Sequence, residues 1–320
     1  MTQPADNSTG QPAVVPAPAE LASLEVLRTP SLVWYHLEDP FSPLLDYLAQ
    51  AHQFHELEVE DCRHRGQRAK LDEYENHIFV VATTLHFVPE TCGVWFGELH
   101  IFIGADFLLT VHVGPTRSVS EVLPRVKTNP RLQRPDKIAH ALLDNIIDRY
   151  PPVLDTIGER IDELEDEVWA GPAPKSLSDI FALKRSLIEF RRTLATMREM
   201  VNSYLRLRPP FLRADMTAYW RDLYDHVVRT LDLTETFRDL LTGVLEVHLS
   251  AIANRTNEIM KALTIFATIV LPLYLISGYF GMNFPNLPLL HHPSGVLIVN
   301  LSMLAVTVGL LFYFRWRRWL

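Results

Sequence analysis

The chain has 320 residues, 48% of them hydrophobic and 21% charged, with a net charge of -8 at pH 7. Residues 260–320 hold four basic and no acidic residues, which leaves 26 basic against 38 acidic residues, a net charge of -12, in the rest of the chain. An acidic body of this kind argues against a nucleic-acid partner and favours cations as ligands. The two cysteines, Cys62 and Cys92, imply no disulfide framework.

The first third of the chain changes from a tail to a mixed pattern of strands and helices. Residues 1–30 are rich in Pro, Ala, Ser and Gln and predict a disordered tail, without the basic start and apolar core of a signal peptide. Residues 31–135 predict a small α/β domain. Its predicted elements are the strands Leu32–Leu37, His77–Phe87, Glu98–Ile103 and Phe107–Val113, the helix Phe41–Phe54, and a solvated loop over Glu60–Tyr74.

The predicted α/β domain carries no pattern of a catalytic site. No Gly-rich phosphate loop follows a strand and no nucleophile elbow occurs, so the sequence does not predict an enzyme. His100 and His112 lie in predicted strands, where we expect packed or surface histidines rather than metal ligands. Cys62 lies near His64 but lacks a second pair of ligands, so we expect no zinc there.

The pattern of residues 136–259 is helical and predicts a second cytosolic domain. A helix over Lys137–Trp169, interrupted at Pro151-Pro152, and a helix over Ser176–Leu207 predict an antiparallel pair, and the first of them carries many acids. A third helix is predicted from about Ala214 to Tyr279, about 66 residues or ~100 Å long. A helix of that length needs neighbours to be stable, which predicts an oligomer.

Residues 260–320 predict a membrane domain with two spans, 262–280 and 296–314, joined by an external loop over 281–295. The first span has nineteen residues without a charge. As a helix it would be ~28 Å long, which matches the ~30 Å hydrocarbon core of a bilayer. Lys261 precedes the first span, and Arg315, Arg317 and Arg318 follow the second. The positive-inside rule then places both termini in the cytoplasm of a multi-pass protein of the plasma or inner membrane.

The first span is followed by Gly281-Met282-Asn283, within Tyr-Phe-Gly-Met-Asn-Phe. At the outer end of the first of two C-terminal spans, this motif resembles the signature of the CorA family of divalent-cation channels. The resemblance implies an α+β cytosolic domain followed by long helices and two transmembrane α-helices, in a CorA-like funnel-shaped homopentamer. It implies the bilayer and divalent cations as partners, Mg²⁺ as the transported and regulatory ion, and no covalent cofactor.

One face of the long helix carries residues spaced three or four apart, and we call this face the stripe. Such spacing keeps residues on one side of a helix in a left-handed supercoil. The resemblance places the stripe along the pore, and a helix–helix contact face is the alternative. It further implies a ring of Asn283 carbonyls at the outer mouth, and a gate that excludes water. In this interpretation Glu246 would gather cations, and Met260, Leu263 and Leu271 would form the gate. The stripe comprises Glu246, Ser250, Ala253, Asn257, Met260, Leu263, Ala267, Leu271, Tyr274, Gly278 and Gly281.

The resemblance also implies a regulatory metal between subunits. Asp222 matches a family position at which an aspartate shares such a metal with an acid of the neighbouring α/β domain. Glu90 is the candidate partner acid, and a surface salt bridge is the alternative role of Asp222. The basic residues Arg315, Arg317 and Arg318 would form a ring near the acid-rich helix pair, whose acids are otherwise a solvated helix face.

Two departures from the family leave the transported ion open. Tyr274 occupies a pore position where the family carries a small hydroxyl residue, and the outer loop holds His291 and His292 but no acid. Zn²⁺, Co²⁺ or Ni²⁺ is therefore the alternative to Mg²⁺. A membrane-anchored scaffold or signalling protein without transport is the alternative of a different class, and it leaves the Gly-Met-Asn motif unexplained.

Overall fold

The computed structural model describes residues 24–88, 93–112, 117–171, 174–206, 214–282, 284, 287–289 and 292–319. The chain divides into two compact units, one of residues 1–166 with 174–244 and one of residues 167–173 with 245–320. Residues 1–23 of the predicted tail, Glu90, Asn283 and His291 lie outside the described residues.

A six-stranded mixed sheet forms the centre of the first unit. Its strands are β1 (Glu25–Thr29), β2 (Leu32–Leu37), β3 (Lys70–Glu73), β4 (His77–Val88), β5 (Gly93–Gly104) and β6 (Phe107–His112). Their order is β1-β2-β6-β5-β4-β3, and β2 with β6 is the parallel pair among antiparallel neighbours. The central strands are almost continuously buried because helices cover both faces of the sheet.

The first strand lies inside the predicted 1–30 tail, which corrects that boundary. Arg28 pairs with Val33 and Thr29 with Leu32, so β1 forms an edge hairpin with β2. Two adjacent apolar residues, Val26 and Leu27, give this segment its strand propensity. The Pro-rich composition of the preceding residues hid that short signal.

Helices cover the two faces of the sheet. On one face, α1 (Pro43–His52) and α2 (Glu56–Arg63) bury Leu45, Leu48 and Val59 in a cluster that includes Phe79 and Phe102. On the other face, α3 (Arg117–Thr128) packs on α4 (Pro135–Ile147), and α4 packs on the three strands β4, β5 and β6. Neighbouring strand residues point to opposite faces, so the same strands supply both cores.

The segment predicted as a solvated loop over Glu60–Tyr74 instead contains the end of α2 and the strand β3. The helix begins with a capping box, in which the His55 N–H donates to Glu58 Oε2 at 2.7 Å and the Leu57 N–H donates to His55 Nδ1 at 3.2 Å. Its last turn buries Cys62. The loop prediction was wrong because this helix buries only two apolar residues, Val59 and Cys62, and most of its other residues are charged.

The helices after residue 135 do not form a separate domain, which corrects the boundary predicted there. The helix predicted over Lys137–Trp169 is two helices, α4 and α5 (Tyr150–Ala170), because the two prolines lie in the first turn of α5, where proline is tolerated. Next comes α6 (Pro174–Arg206), which packs on β3, β4 and β5. The Tyr150 hydroxyl donates to the Thr83 carbonyl oxygen at 3.0 Å, which ties α5 to the sheet.

The predicted faces of α5 are present. Ile157, Ile161 and Leu164 are buried, whereas the acidic side chains between them are exposed. The long helix α7 (Thr217–Phe280) has 64 residues and packs its first half within this unit. The phenyl ring of Phe237 on α7 lies against Gly158, so close that a Cβ at Gly158 would approach its Cζ to 2.7 Å.

The second unit contains the end of α7 and the helix α8 (Gly295–Trp316). Both helices are long and apolar enough to cross a membrane. None of the apolar window of α7 and 6% of that of α8 is buried inside the chain. Their apolar side chains therefore need cover from outside this single chain, which agrees with the two predicted spans.

Candidate functional site

Every residue of the stripe is exposed in the single chain. The polar members Glu246 and Asn257 are exposed, and so are the larger apolar members: Met260 by 54%, Leu263 by 58%, Leu271 by 63% and Tyr274 by 74%. Large apolar side chains of one helix face are thus left without cover along several turns. Such a face belongs to an interface, a membrane or a pore rather than to open water.

The opposite face of α7 is partly covered. Lys261, Ile265 and Ile269 are half-buried, and they line a cleft with Trp319. At about 100° per residue, these three residues lie on the side of α7 opposite to Met260, Leu263 and Ala267. The stripe therefore lies on the side of the helix that faces away from this cleft.

The basic end of α8 lies beside the start of the first apolar segment. The Lys261 ammonium donates to the Arg318 carbonyl oxygen at 3.3 Å. The Arg315, Arg317 and Arg318 side chains are exposed. Four basic residues therefore gather at one end of the two apolar helices.

The signature motif begins where α7 ends. The Gly281 N–H donates to the Ser277 carbonyl oxygen at 2.9 Å, and the Met282 N–H donates to Tyr279 O at 3.4 Å. A Cβ at Gly281 would lie 3.1 Å from Ser277 O, so the last turn favours a residue without a side chain here. Gly278 has no atom within 4 Å of where its Cβ would be, so this glycine is not required by packing inside the chain.

The first unit holds a group of acids around the predicted regulatory residue. Asp222 is exposed, with its Oδ1 4.0 Å from His226 Nε2. His226 Nδ1 in turn lies 3.8 Å from Asp148 Oδ1. Asp144, Asp148 and His226 have ligand atoms within 4.8 Å of one another and could hold a metal ion. Burial, followed by the charge of Asp144, raises the pKa of the Asp148 carboxyl.

Sequence reasoning missed Asp144, Asp148 and His226. The signal was the spacing of four residues between Asp144 and Asp148, repeated between Asp222 and His226, which puts each pair on one helix face. The approach of the two helices could not be derived from either pair alone. The predicted partner acid Glu90 lies outside the described residues.

Comparisons with known proteins agree on one family. The model described as CorA-like Mg²⁺ transporter protein matches residues 30–318. The cobalt/magnesium transport protein CorA of Thermotoga maritima is 34% identical over 269 residues, which are 83% of this chain and 77% of that protein. The divalent cation transporter CmaX of Pseudomonas aeruginosa is 24% identical over 224 residues, 70% of this chain and 68% of that protein.

A solved structure confirms the fold. The complete CorA magnesium transporter of Methanocaldococcus jannaschii superposes with a TM-score of 0.79 at 24% identity, over 90% of this chain and 92% of that one. The predicted fold class, an α+β domain followed by long helices and two apolar C-terminal helices, is thereby confirmed for the single chain. The match to a family of transporters also confirms that the chain is not an enzyme. By its match over residues 30–318 and by its fold, this chain belongs to the family of CorA-like Mg²⁺ transporter proteins.

Proposed function

We propose that this chain is the subunit of a homopentameric channel that conducts divalent cations, with Mg²⁺ as its main ion. The observation that carries the proposal is the exposed stripe on α7, from Glu246 to Gly281. It is polar or small at its cytosolic end and apolar from Met260 onward. Copies of α7 around a central axis would cover this face and enclose a path for ions.

The chemistry of the stripe suits a gated path. A ring of Glu246 carboxylates attracts cations at the wide end, and Asn257 offers neutral oxygens further along. Met260, Leu263 and Leu271 form the hydrophobic constriction, which closes the path by excluding water. Tyr274 narrows the path beyond the constriction or adds a phenol oxygen to it.

The outer mouth selects the ion. A ring of Asn283 side chains offers carbonyl oxygens to the water shell of an entering ion, which suits Mg²⁺ because it dehydrates reluctantly. With both termini in the cytoplasm, the inside-negative potential drives entry. Two charges gain roughly 4.6 kcal/mol per 100 mV.

Cytosolic metal controls the gate. Asp222 Oδ1 lies 4.0 Å from His226 Nε2, and His226 Nδ1 lies 3.8 Å from Asp148 Oδ1. A divalent ion held there, together with an acid of a neighbouring subunit such as Glu90, favours the closed pentamer. Loss of the ion at low cytosolic Mg²⁺ shifts the population towards the open state.

The test is ion flux in liposomes. The purified full-length chain is reconstituted with an internal Mg²⁺-sensitive dye under an inside-negative potential, beside an Asn283→Ala variant and an Ile269→Ala control on the side of α7 opposite to the stripe. We expect Mg²⁺ influx that Asn283→Ala abolishes and Ile269→Ala leaves intact. Zinc or cobalt flux without Mg²⁺ flux would move the assignment to a softer ion. The absence of any metal flux from a pentameric preparation would contradict transport and favour the membrane-anchor alternative.

A further inference from the structure

We propose that His36, Glu38 and His112 form a binding site for a transition-metal ion of the Zn²⁺ class in the sheet of the first unit, apart from the conduction path. Their ligand atoms, two imidazole nitrogens and a carboxylate oxygen, lie within 4.8 Å of one another. Nothing in the proposed transport function uses these residues, so the site stands independently of it.

The fold brings the three residues together at the carboxyl ends of two parallel strands. β2 and β6 pair in parallel, with His36 opposite Thr110 and Leu37 opposite Val111. His112 therefore lies one step beyond, level with Glu38. Because alternate residues share a face, Thr110 and His112 project to the same side of the sheet.

The distance between the two imidazoles suits a shared metal. His36 Nε2 and His112 Nε2 are 3.2 Å apart, and the rings are stacked with centroids at 4.9 Å. Two nitrogens bound to one tetrahedral zinc at about 2.05 Å are about 3.3 Å apart. Glu38 is exposed, so its carboxylate can turn towards the same point and complete a site with two His and one carboxylate.

A hydrogen-bond network fixes the tautomer of His36. The Thr110 hydroxyl accepts from Trp34 Nε1 at 3.0 Å and donates its only proton to the Tyr35 carbonyl oxygen at 3.2 Å. It can only accept from His36 Nδ1, 2.9 Å away, so His36 carries its proton on Nδ1. The lone pair of His36 Nε2 then points to His112. Metal-binding histidines are held in this way, by an N–H bond from the other ring nitrogen.

His112 needs one proton move to become a ligand. In the structure its Nε2–H donates to His36 Nε2. On metal binding His112 changes tautomer: Nε2 loses its proton and the buried Nδ1 gains one, which leaves the ring neutral and both Nε2 lone pairs on the metal. The site then consists of two neutral imidazoles, one carboxylate and one M²⁺ ion. One further coordination position of the metal is left for water.

The donor set selects the class of metal. Two imidazoles and one carboxylate suit Zn²⁺, Co²⁺ or Ni²⁺, whereas Mg²⁺ prefers oxygen ligands. The competing explanation is a hydrogen-bonded histidine pair that only joins β2 to β6. That pair has no use for the Glu38 carboxylate, so Glu38 separates the two explanations.

The experiment is a zinc titration of the full-length protein, purified in detergent. Bound metal is first removed with EDTA, and a chromophoric chelator then competes with the protein for added Zn²⁺. Excess Mg²⁺ is present to fill oxygen-rich sites. We expect one tightly bound Zn²⁺ per chain, weakened at least about tenfold in Glu38→Gln and about 10- to 100-fold in Thr110→Val, with Thr110→Ser restoring it. His64→Gln and His226→Gln are the controls and should bind zinc as the original chain does.

Two outcomes would overturn the site. One is that the chain binds no zinc above background. The other is zinc binding that Glu38→Gln leaves unchanged or that His226→Gln removes, which would place the ion elsewhere. Glu38→Gln changes an exposed side chain, so the variant is expected to fold, and Co²⁺ substitution adds an independent readout. Tetrahedral Co²⁺ at the site should give visible absorption bands that Glu38→Gln shifts.

Discussion

Lys261 and Arg318 are joined by a hydrogen bond of 3.3 Å from the ammonium of one to the main-chain oxygen of the other. The bond links the start of the first apolar segment to the end of the second. Lys261, Arg315, Arg317 and Arg318 are the four charged residues of the segment 260–320, and the bond brings the first of them beside the other three. The position of the stripe, on the far side of α7 from this contact, is the basis of the gating prediction below.

Leu263→Ala should increase Mg²⁺ flux. Leu263 lies on the stripe, is 58% exposed in the single chain, and belongs to the proposed hydrophobic constriction. Removing its side chain weakens the exclusion of water there. We expect a several-fold higher flux at high cytosolic Mg²⁺, measured with the dye-loaded liposomes. Ile269→Ala, on the side of α7 opposite to the stripe, is the control, and equal fluxes in the two variants would contradict the assignment.

Asp222→Asn should weaken inhibition by cytosolic Mg²⁺. The substitution removes a carboxylate from the group around His226 and Asp148, so the closed state loses part of its metal affinity. Mg²⁺ flux should persist at internal Mg²⁺ concentrations that close the wild-type channel. Asp225→Asn, an exposed aspartate three residues along the same helix, should behave like the original chain. An unchanged inhibition curve for Asp222→Asn would assign Asp222 to an ordinary surface contact.

Gly158→Ala should destabilise the first unit. The new Cβ would approach the Phe237 ring to 2.7 Å, and the ring must move to make room. We expect a loss of about 1 kcal/mol or more in the free energy of unfolding, measured by denaturant. Gly243→Ala is the control with the opposite sign. It has no atom within 4 Å and should stabilise α7 by about 0.5–1 kcal/mol.

The stability of the first unit should fall as the pH falls below about 6.5. Burial is the main cause that lowers the pKa of His36 to about 4 and also lowers that of His52. The folded state therefore binds fewer protons than the unfolded state between these values, so stability rises with pH across that window. Metal-free protein should unfold at a lower urea concentration at pH 5.5 than at pH 7.5.

His52→Gln should reduce this difference between the two pH values. The exposed His64 provides the control, since His64→Gln should leave the difference unchanged. Equal unfolding midpoints at pH 5.5 and 7.5 would show that the two half-buried rings take up protons in the folded state as readily as in the unfolded state.

The sequence predicted the long-range architecture because strong periodic or uncharged segments specify it. The apolar segments and the acid-covered face of α5 depend on the pattern within one helix, and both lie where they were expected. The stripe depends on the same kind of spacing, and its place along a pore stays a prediction. The errors were short elements. The strand at Glu25–Thr29 and the helix Glu56–Arg63 have few apolar residues, and their stability comes from pairing and packing with distant parts of the chain.

The sites between elements could not be predicted from the sequence. His36 and His112 are 76 residues apart, and their contact exists only because β2 and β6 are parallel neighbours. The same holds for Asp148, which directly follows α4, and His226, which lies on α7. Spacing within a helix gave the stripe directly, whereas these clusters require the topology of the sheet and the packing of the helices.

The central claim, that the stripe faces the ion path, is tested most directly by thiol labelling during flux. Asn257→Cys, on the stripe, is compared with Arg255→Cys, an exposed residue on the opposite side of α7, in a Cys92→Ala background. A charged thiol reagent is added on the cytosolic side. We predict that both residues are labelled and that only labelling of Asn257→Cys blocks Mg²⁺ flux. Full labelling of both variants with the same effect on flux, or with none, would contradict a path along the stripe.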